Sequence, residues 1–152
     1  MLFISPCVIL SFAQEVALKQ SIEPLSGDKL QMAKNILVVD DSATIRTTVT
    51  MALDQDGYRS VEAVDGLDAL GKLDEYDVDM IITDINMPNM DGFGLIREAR
   101  KASKTKFTPI VVLTTETSEE LKSQGRAAGA SGWIEKPFNP THLLKMVQLT
   151  IG

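Results

Sequence analysis

The sequence predicts an α/β fold in which a five-stranded parallel sheet is doubly wound by helices on both faces. Three observations carry that expectation. Short continuous apolar runs (Ile36-Leu37-Val38-Val39, Met80-Ile81-Ile82-Thr83 and Ile110-Val111-Val112-Leu113) suit strands buried on both sides. Segments with apolar residues at helical spacing separate these runs, which is the alternation of a parallel sheet with crossover helices. The whole chain is 152 residues long, the size of a single domain.

The elements follow in order. Ile36 to Val39 is the first strand. Ser42 is placed to cap a helix along which Ile45, Val49, Ala52 and Leu53 recur, and Gly57 ends it. Tyr58 to Ala63 is the next extended piece. Asp65 to Leu73 is helical, with Leu67, Leu70 and Leu73 as its expected apolar stripe. Met80 to Thr83 is a buried strand, and Phe93 to Ala99 is a helix with Gly92 near its start. Pro109 to Leu113 is a strand whose proline sits first, where a missing N–H is tolerated. Ser118 caps a helix running to about Ala128, and Gly129 is placed to end it. Trp133-Ile134 is a short strand. Pro140 to Leu149 is the last helix, with Leu143, Leu144 and Val147 facing inward.

Residues 34–152 therefore form the domain, and residues 1–33 read as an N-terminal extension. Leu2 to Ala13 is apolar and interrupted by Pro6, whereas Gln14 to Gln31 is mixed and broken by Pro24 and Gly27. A secretory signal would begin with basic residues, and none precedes Lys19. Met32-Ala33-Lys34 looks like an ordinary start placed directly before a strand. A non-native start and a loosely docked helix around Phe12, Val16 and Ile22 both fit.

Composition removes several classes of function. The 15 Lys and Arg against 21 Asp and Glu give a net charge of −6, the wrong sign for a nucleic-acid binder. No apolar run approaches the roughly 18 residues of a membrane span. A single His and a single Cys cannot build a zinc site or an internal disulfide, which points to a reducing, cytoplasmic compartment.

In a doubly wound sheet, ligands bind at the carboxyl ends of the strands. Asp40 and Asp41 follow the first strand, Asp84 the third, Thr114 the fourth and Lys136 the fifth. Three carboxylates, a hydroxyl and an ammonium thus converge on one edge. Two like charges about 4 Å apart repel by roughly 4 kcal/mol at an effective dielectric of 20, and a divalent cation removes that penalty. An all-oxygen donor set favours Mg2+. A carboxylate beside Mg2+ and Lys136 is a credible nucleophile towards phosphorus, with Thr114 able to donate to a phosphoryl oxygen. Singly, each of these residues is equally well a helix cap, a turn residue or a surface charge; their joint placement suggests an aspartyl-phosphate site.

From about Lys34 to Ile151 the chain resembles the receiver domain of two-component response regulators, and within them the CheY-like chemotaxis receivers. The matching stretches are Val38-Val39-Asp40-Asp41-Ser42, Asp84-Ile85-Asn86-Met87-Pro88-Asn89-Met90-Asp91-Gly92, Leu113-Thr114-Thr115-Glu116, and Gly129-Ala130-Ser131-Gly132-Trp133-Ile134-Glu135-Lys136-Pro137-Phe138. The resemblance implies a flavodoxin-like strand order 2-1-3-4-5. It implies Asp84 as phosphoacceptor from a histidine kinase, and Asp41 and Asp84 as direct Mg2+ ligands. Asp40 would act on the metal through water, and Asn86 through its backbone carbonyl. Lys136, before a cis proline, and Thr114 would bind phosphoryl oxygens. Trp133 would be an aromatic switch coupled to Thr114, while Asn86 and Glu116 would tune dephosphorylation.

The resemblance also implies a mode of output. Only one helix follows Lys136, so a stand-alone, monomeric receiver is expected. It would signal through protein contacts of the last two helices and the strand between them, or serve as a phosphate sink for its kinase. The flagellar motor switch is one candidate target. The acidic helix start Thr117-Ser118-Glu119-Glu120 departs from motor-binding relatives, which are basic there. Two other classes fit less well. Haloacid-dehalogenase-like phosphohydrolases place a second aspartate where Asn86 stands, and their nucleophile follows the first strand. A flavodoxin-like binder would need a Gly- or Ser-rich phosphate loop where Asp40-Asp41-Ser42 stands.

Overall fold

The computed structural model describes residues 32–152. The readings made on residues 1–31, including the helix around Phe12, Val16 and Ile22, lie outside the described residues. Five strands alternate with five helices: β1 (Asn35–Val39), α1 (Ala43–Gln55), β2 (Arg59–Ala63), α2 (Gly66–Glu75), β3 (Met80–Thr83), α3 (Gly92–Lys101), β4 (Ile110–Thr114), α4 (Glu119–Ala128), β5 (Gly132–Glu135) and α5 (Pro140–Ile151). The strands form one sheet in the order β2-β1-β3-β4-β5, and every pairing is parallel.

Alternation along each strand divides the core into two layers. Leu37, Val39, Ile81 and Val112 face α2 and α3, where they meet Ala69, Leu73, Leu95 and Ile96. Ile36, Val38, Ile82 and Leu113 face the other way and meet Val49, Leu53, Leu143 and Val147 of α1 and α5. Most of these side chains are fully buried, and each Leu, Ile and Val among them contributes roughly 1.5–3 kcal/mol of transfer free energy.

The helix signals act where the sequence placed them. Ser42 Oγ accepts from Ile45 N–H at 3.4 Å, and Ser118 Oγ from Leu121 N–H at 3.2 Å. Gly129 closes α4 in the left-handed conformation, at φ +114°. Two readings need correction. Leu67 is 53% exposed, and the inward stripe of α2 is Gly66, Ala69 and Leu73. At 100° per residue, positions 66, 69, 70 and 73 share one face and 67 lies well to its side. The fourth strand also starts one residue later than expected. Pro109 precedes it, contributing only its carbonyl to Ile81 N–H at 2.9 Å, and Thr114 is its last residue.

One side chain ties several connections together. The Arg100 guanidinium, at the end of α3, donates to the carbonyls of Gly129 (2.8 Å), Thr108 (2.7 Å) and Thr105 (3.1 Å). It fastens the carboxyl end of α4 to the α3–β4 connection.

Candidate functional site

The sheet delivers polar residues to its carboxyl edge because the hydrogen-bond ladder continues past the strands. Asp40 N–H donates to the Ala63 carbonyl at 3.2 Å, Asp84 N–H to Val39 at 3.0 Å and Lys136 N–H to Thr114 at 2.8 Å. Residues with no strand propensity are thereby held in strand register. At the centre, Lys136 Nζ donates to Asp40 Oδ2 at 2.5 Å and to Asp84 Oδ2 at 2.9 Å. The second oxygen of each carboxylate is also used: Asp40 Oδ1 accepts from Ser42 N–H at 2.9 Å, and Asp84 Oδ1 from Ile85 N–H at 2.7 Å. Oxygens of Asp40, Asp41 and Asp84 lie within 4.8 Å of one another. Asp40 is buried, Asp84 partly so, and Asp41 exposed, so the cluster opens to solvent on the Asp41 side.

Burial pushes the Asp40 carboxyl above its ordinary value, and the hydrogen bonds from Lys136 and Ser42 only partly offset this. Burial also pulls on Lys136, but in the opposite direction, and there the hydrogen bonds to Asp40 and Asp84 win, holding the ammonium above its ordinary value. The sign of each contribution follows. The Lys136 contribution is present through neutral pH and is lost as pH rises through the raised value. The Asp40 contribution is greatest below the ordinary carboxylate range and is lost as pH rises through its raised value, so ionised Asp40 costs stability at pH 7.

Asp40→Asn keeps an oxygen for Ser42 N–H and leaves Lys136 paired with Asp84. With a chelator present, it is expected to raise the melting temperature at pH 7, because the buried charge that desolvation disfavours is gone. The gain should shrink as pH falls towards 4. Thermal melts between pH 4 and 8 check it, and a lower melting temperature at pH 7 would show that Lys136 needs both acids.

Four further residues form a second, connected chain. Thr114 is fully buried, and its Oγ1 accepts from Glu116 N–H at 3.3 Å. Asn86 Nδ2–H donates to Glu116 Oε1 at 3.1 Å. The Glu116 carbonyl accepts from Trp133 Nε1–H at 3.1 Å. The indole lies against α4 at Gly125, where a Cβ would come within 2.8 Å of its Cζ3 atom. The Lys136–Pro137 bond is cis.

The structure thus brings Asp40, Asp41, Asp84 and Lys136 into one cluster at the carboxyl edge, with Asn86, Thr114 and Glu116 linked beside it and Trp133 reaching Glu116 from within β5. Sequence reasoning missed Arg46. Its Nη1–H donates to the Asp40 carbonyl at 2.7 Å and its Nε–H to Glu62 Oε2 at 3.0 Å, bracing the β1–α1 turn. A cation one turn inside a helix that follows two acids was the available signal. It also missed the Asp65–Asn89 hydrogen bond between the β2–α2 and β3–α3 loops.

The donor set is all oxygen, anionic and open to water on one side, which fits a Mg2+ ion. No helix among the described residues is long and apolar enough to cross a membrane.

Comparison with known proteins agrees with this geometry. The model of the response regulator receiver domain family matches residues 36–148. The chemotaxis protein CheY1 of Helicobacter pylori is 39% identical over 119 residues, covering 77% of this chain and 96% of that protein. The phosphate regulon transcriptional regulatory protein PhoB of Escherichia coli is 38% identical over 117 residues. There the chain spans only about half of the relative's length (51%). Among solved structures, chemotaxis response regulator CheY4 of Vibrio cholerae is 48% identical with a TM-score of 0.75, covering 78% of this chain and 99% of that one. The receiver domain of sensor histidine kinase PA1611 from Pseudomonas aeruginosa, described with a magnesium ion coordinated in its active site cleft, is 28% identical with a TM-score of 0.73, covering 79% and 98%.

Proposed function

Because this chain belongs to the response regulator receiver domains, which are signalling domains rather than classical enzymes, we propose that it accepts a phosphoryl group on Asp84 from a histidine kinase. One observation carries this reading: a single ammonium, Lys136 Nζ, bridges Asp84 and the buried Asp40, with Asp41 completing an acidic trio open to solvent. Asp84 attacks phosphorus through a carboxylate oxygen while the phosphohistidine nitrogen leaves. Lys136 meets the charge on the transferred oxygens, and the Thr114 hydroxyl binds another of them. Asp41, Asp84 and the Asn86 carbonyl would hold Mg2+, with Asp40 acting through water. The metal, when bound, neutralises phosphoryl charge.

The output follows from the second chain of residues. Drawing Thr114 towards the phosphoryl group displaces Glu116, which holds both Asn86 and the Trp133 indole. Phosphorylation then biases a two-state surface formed by α4, β5 and α5, and Asn86 with Glu116 flanks the approach of the hydrolytic water. The likeness to CheY1 and CheY4 favours chemotaxis as the pathway, in the cytoplasm, with a protein target on that surface; the flagellar motor switch is one such target. The acidic Glu119-Glu120 start of α4 sets a different charge there from motor-binding relatives.

The test is incubation with acetyl phosphate and Mg2+, followed by intact-mass and peptide mapping. A single phosphoryl adduct on the peptide containing Asp84 is expected, and none when a chelator is added before the acetyl phosphate; an adduct elsewhere, or none with Mg2+ present, would reject the reading. The same sample tests the switch. Trp133 is the chain's only tryptophan, so its emission should shift when beryllofluoride, a stand-in for the phosphoryl group on Asp84, is added. Thr114→Ala should abolish that shift, and an equal shift in the variant would uncouple Trp133 from Thr114.

A further inference from the structure

The loop between Asp84 and α3 carries Asn86, and its conformation is held from outside the site. Asn89 is the only residue other than glycine with a positive φ among the described residues, at +66°. Such a conformation persists in a non-glycine residue where the surroundings over-determine it. Here they do. Asn89 Nδ2–H donates to Asp65 Oδ2 at 2.8 Å, and Gly66 N–H donates to the Met90 carbonyl at 3.1 Å. Asp65 is itself buried, 7% exposed, and fixed by its other oxygen, which accepts from Asp68 N–H at 2.8 Å as the cap of α2. That bond and the one from Asn89 hold its carboxyl below the ordinary value. The two loops approach so closely that a Cβ on Gly66 would lie 2.6 Å from Met90 Cγ. One carboxylate on a neighbouring unit thus anchors a helix with one oxygen and the active-site loop with the other.

We propose that Asp65 and Asn89 are positioning residues: their hydrogen bond latches the β3–α3 loop to the amino end of α2, sets the place of the Asn86 carbonyl, and thereby tunes the affinity of the acidic cluster for Mg2+. The inference rests on the reading of that cluster as a phosphoacceptor site. Neither residue touches the cluster, so the latch acts on metal affinity and leaves the reacting groups intact. Groups that orient a metal's ligands typically change affinity by about 10–100-fold when removed.

The experiment is a double-variant cycle on the full chain, reading Mg2+ binding by calorimetry and the Mg2+ dependence of labelling by acetyl phosphate. Asn89→Gly tolerates the positive φ but loses the amide. Asp65→Ser keeps an oxygen to cap α2 but loses the carboxylate oxygen that holds Asn89. Each should weaken Mg2+ binding by about 10-fold, and the double variant no further. Labelling should return to near the wild-type rate at saturating Mg2+, a split that general loosening of the fold would not produce. Unchanged Mg2+ affinity in Asn89→Gly, additive losses in the double variant, or a rate that saturating Mg2+ does not restore would each overturn the latch. Should Asp65→Ser fail to fold, Asn89→Gly alone decides, together with faster amide exchange expected at Met90 in that variant. Asp84→Asn separates the two levels of inference. If it binds Mg2+ as wild type does, the reading of the cluster falls; if it does not and the latch variants bind normally, only the latch falls.

Discussion

Asp84→Asn is expected to take up no phosphoryl group from acetyl phosphate under conditions that label the wild type to completion. The substitution is close to isosteric. Its amide oxygen can still accept from Ile85 N–H, as Oδ1 of Asp84 does at 2.7 Å, so the loop need not move. What disappears is the nucleophile, since an amide oxygen does not form a stable acyl phosphate here. Lys136→Ala makes the informative contrast. It leaves the Asp84 nucleophile in place and removes the ammonium that bridges Asp84 and Asp40. Labelling should then continue but more slowly, by about 100–1000-fold, the typical loss when one preorganised donor to a developing anion is removed. Intact-mass time courses on the three proteins check both outcomes. If Asp84→Asn labels at the wild-type rate, the acceptor lies elsewhere; if Lys136→Ala does so, the ammonium serves only the fold.

Gly92→Ala carries the second large effect, this time on stability. Gly92 is the first residue of α3 and is buried. A Cβ there would stand 2.2 Å from the Asp84 carbonyl oxygen and 3.0 Å from Ile85 Cα. Both contacts are backbone, so no side chain can swing aside. The loop is also closed at this point by Gly92 N–H donating to the Ile85 carbonyl at 2.8 Å. Relief requires the chain around Asp84 to shift, at a cost of about 3 kcal/mol, or a melting temperature lower by about 12 °C. Gly71→Ala is the matched control. Nothing lies within 4 Å of a Cβ at that exposed position of α2, and the variant should gain about 0.5–1 kcal/mol from reduced chain entropy. Parallel thermal melts decide. Equal melting temperatures for Gly92→Ala and wild type would mean that the loop yields without cost.

Much of this architecture is legible in the chain because its local and long-range preferences agree. The strands β1, β3 and β4 are buried on both faces, so their apolar runs are continuous and their ends sharp. Ser42 and Ser118 cap the helices they precede, each hydroxyl accepting the N–H three residues on. The acidic cluster is readable for the same reason: Asp40, Asp84 and Lys136 each follow directly on a strand, and a sheet aligns such ends. Leu67 shows the limit. Leucine at helical spacing signals an inward face, but glycine and alanine at positions 66 and 69 allow closer approach and take the inward face instead. The links among Asn86, Glu116 and Trp133, and between Asp65 and Asn89, were beyond reach for a different cause. They join residues 17 to 30 positions apart through side chains that are individually common in loops. Only the packed fold selects those partners from among many equivalent ones.

Arg100 has a mechanical consequence. Its guanidinium grips the Gly129 carbonyl through both Nε (3.1 Å) and Nη2 (2.8 Å), while the same group holds the Thr105 and Thr108 carbonyls. The carboxyl end of α4 is thereby pinned to the body of the molecule. Its amino end, by contrast, is joined through Ser118 and Thr117 to Glu116. A rod pinned at one end swings from the other, so Gly129 is the fulcrum and Ser118 the tip. The displacement of Glu116 proposed above would then turn α4 about Gly129, with its greatest travel at Ser118 and its least at Gly129.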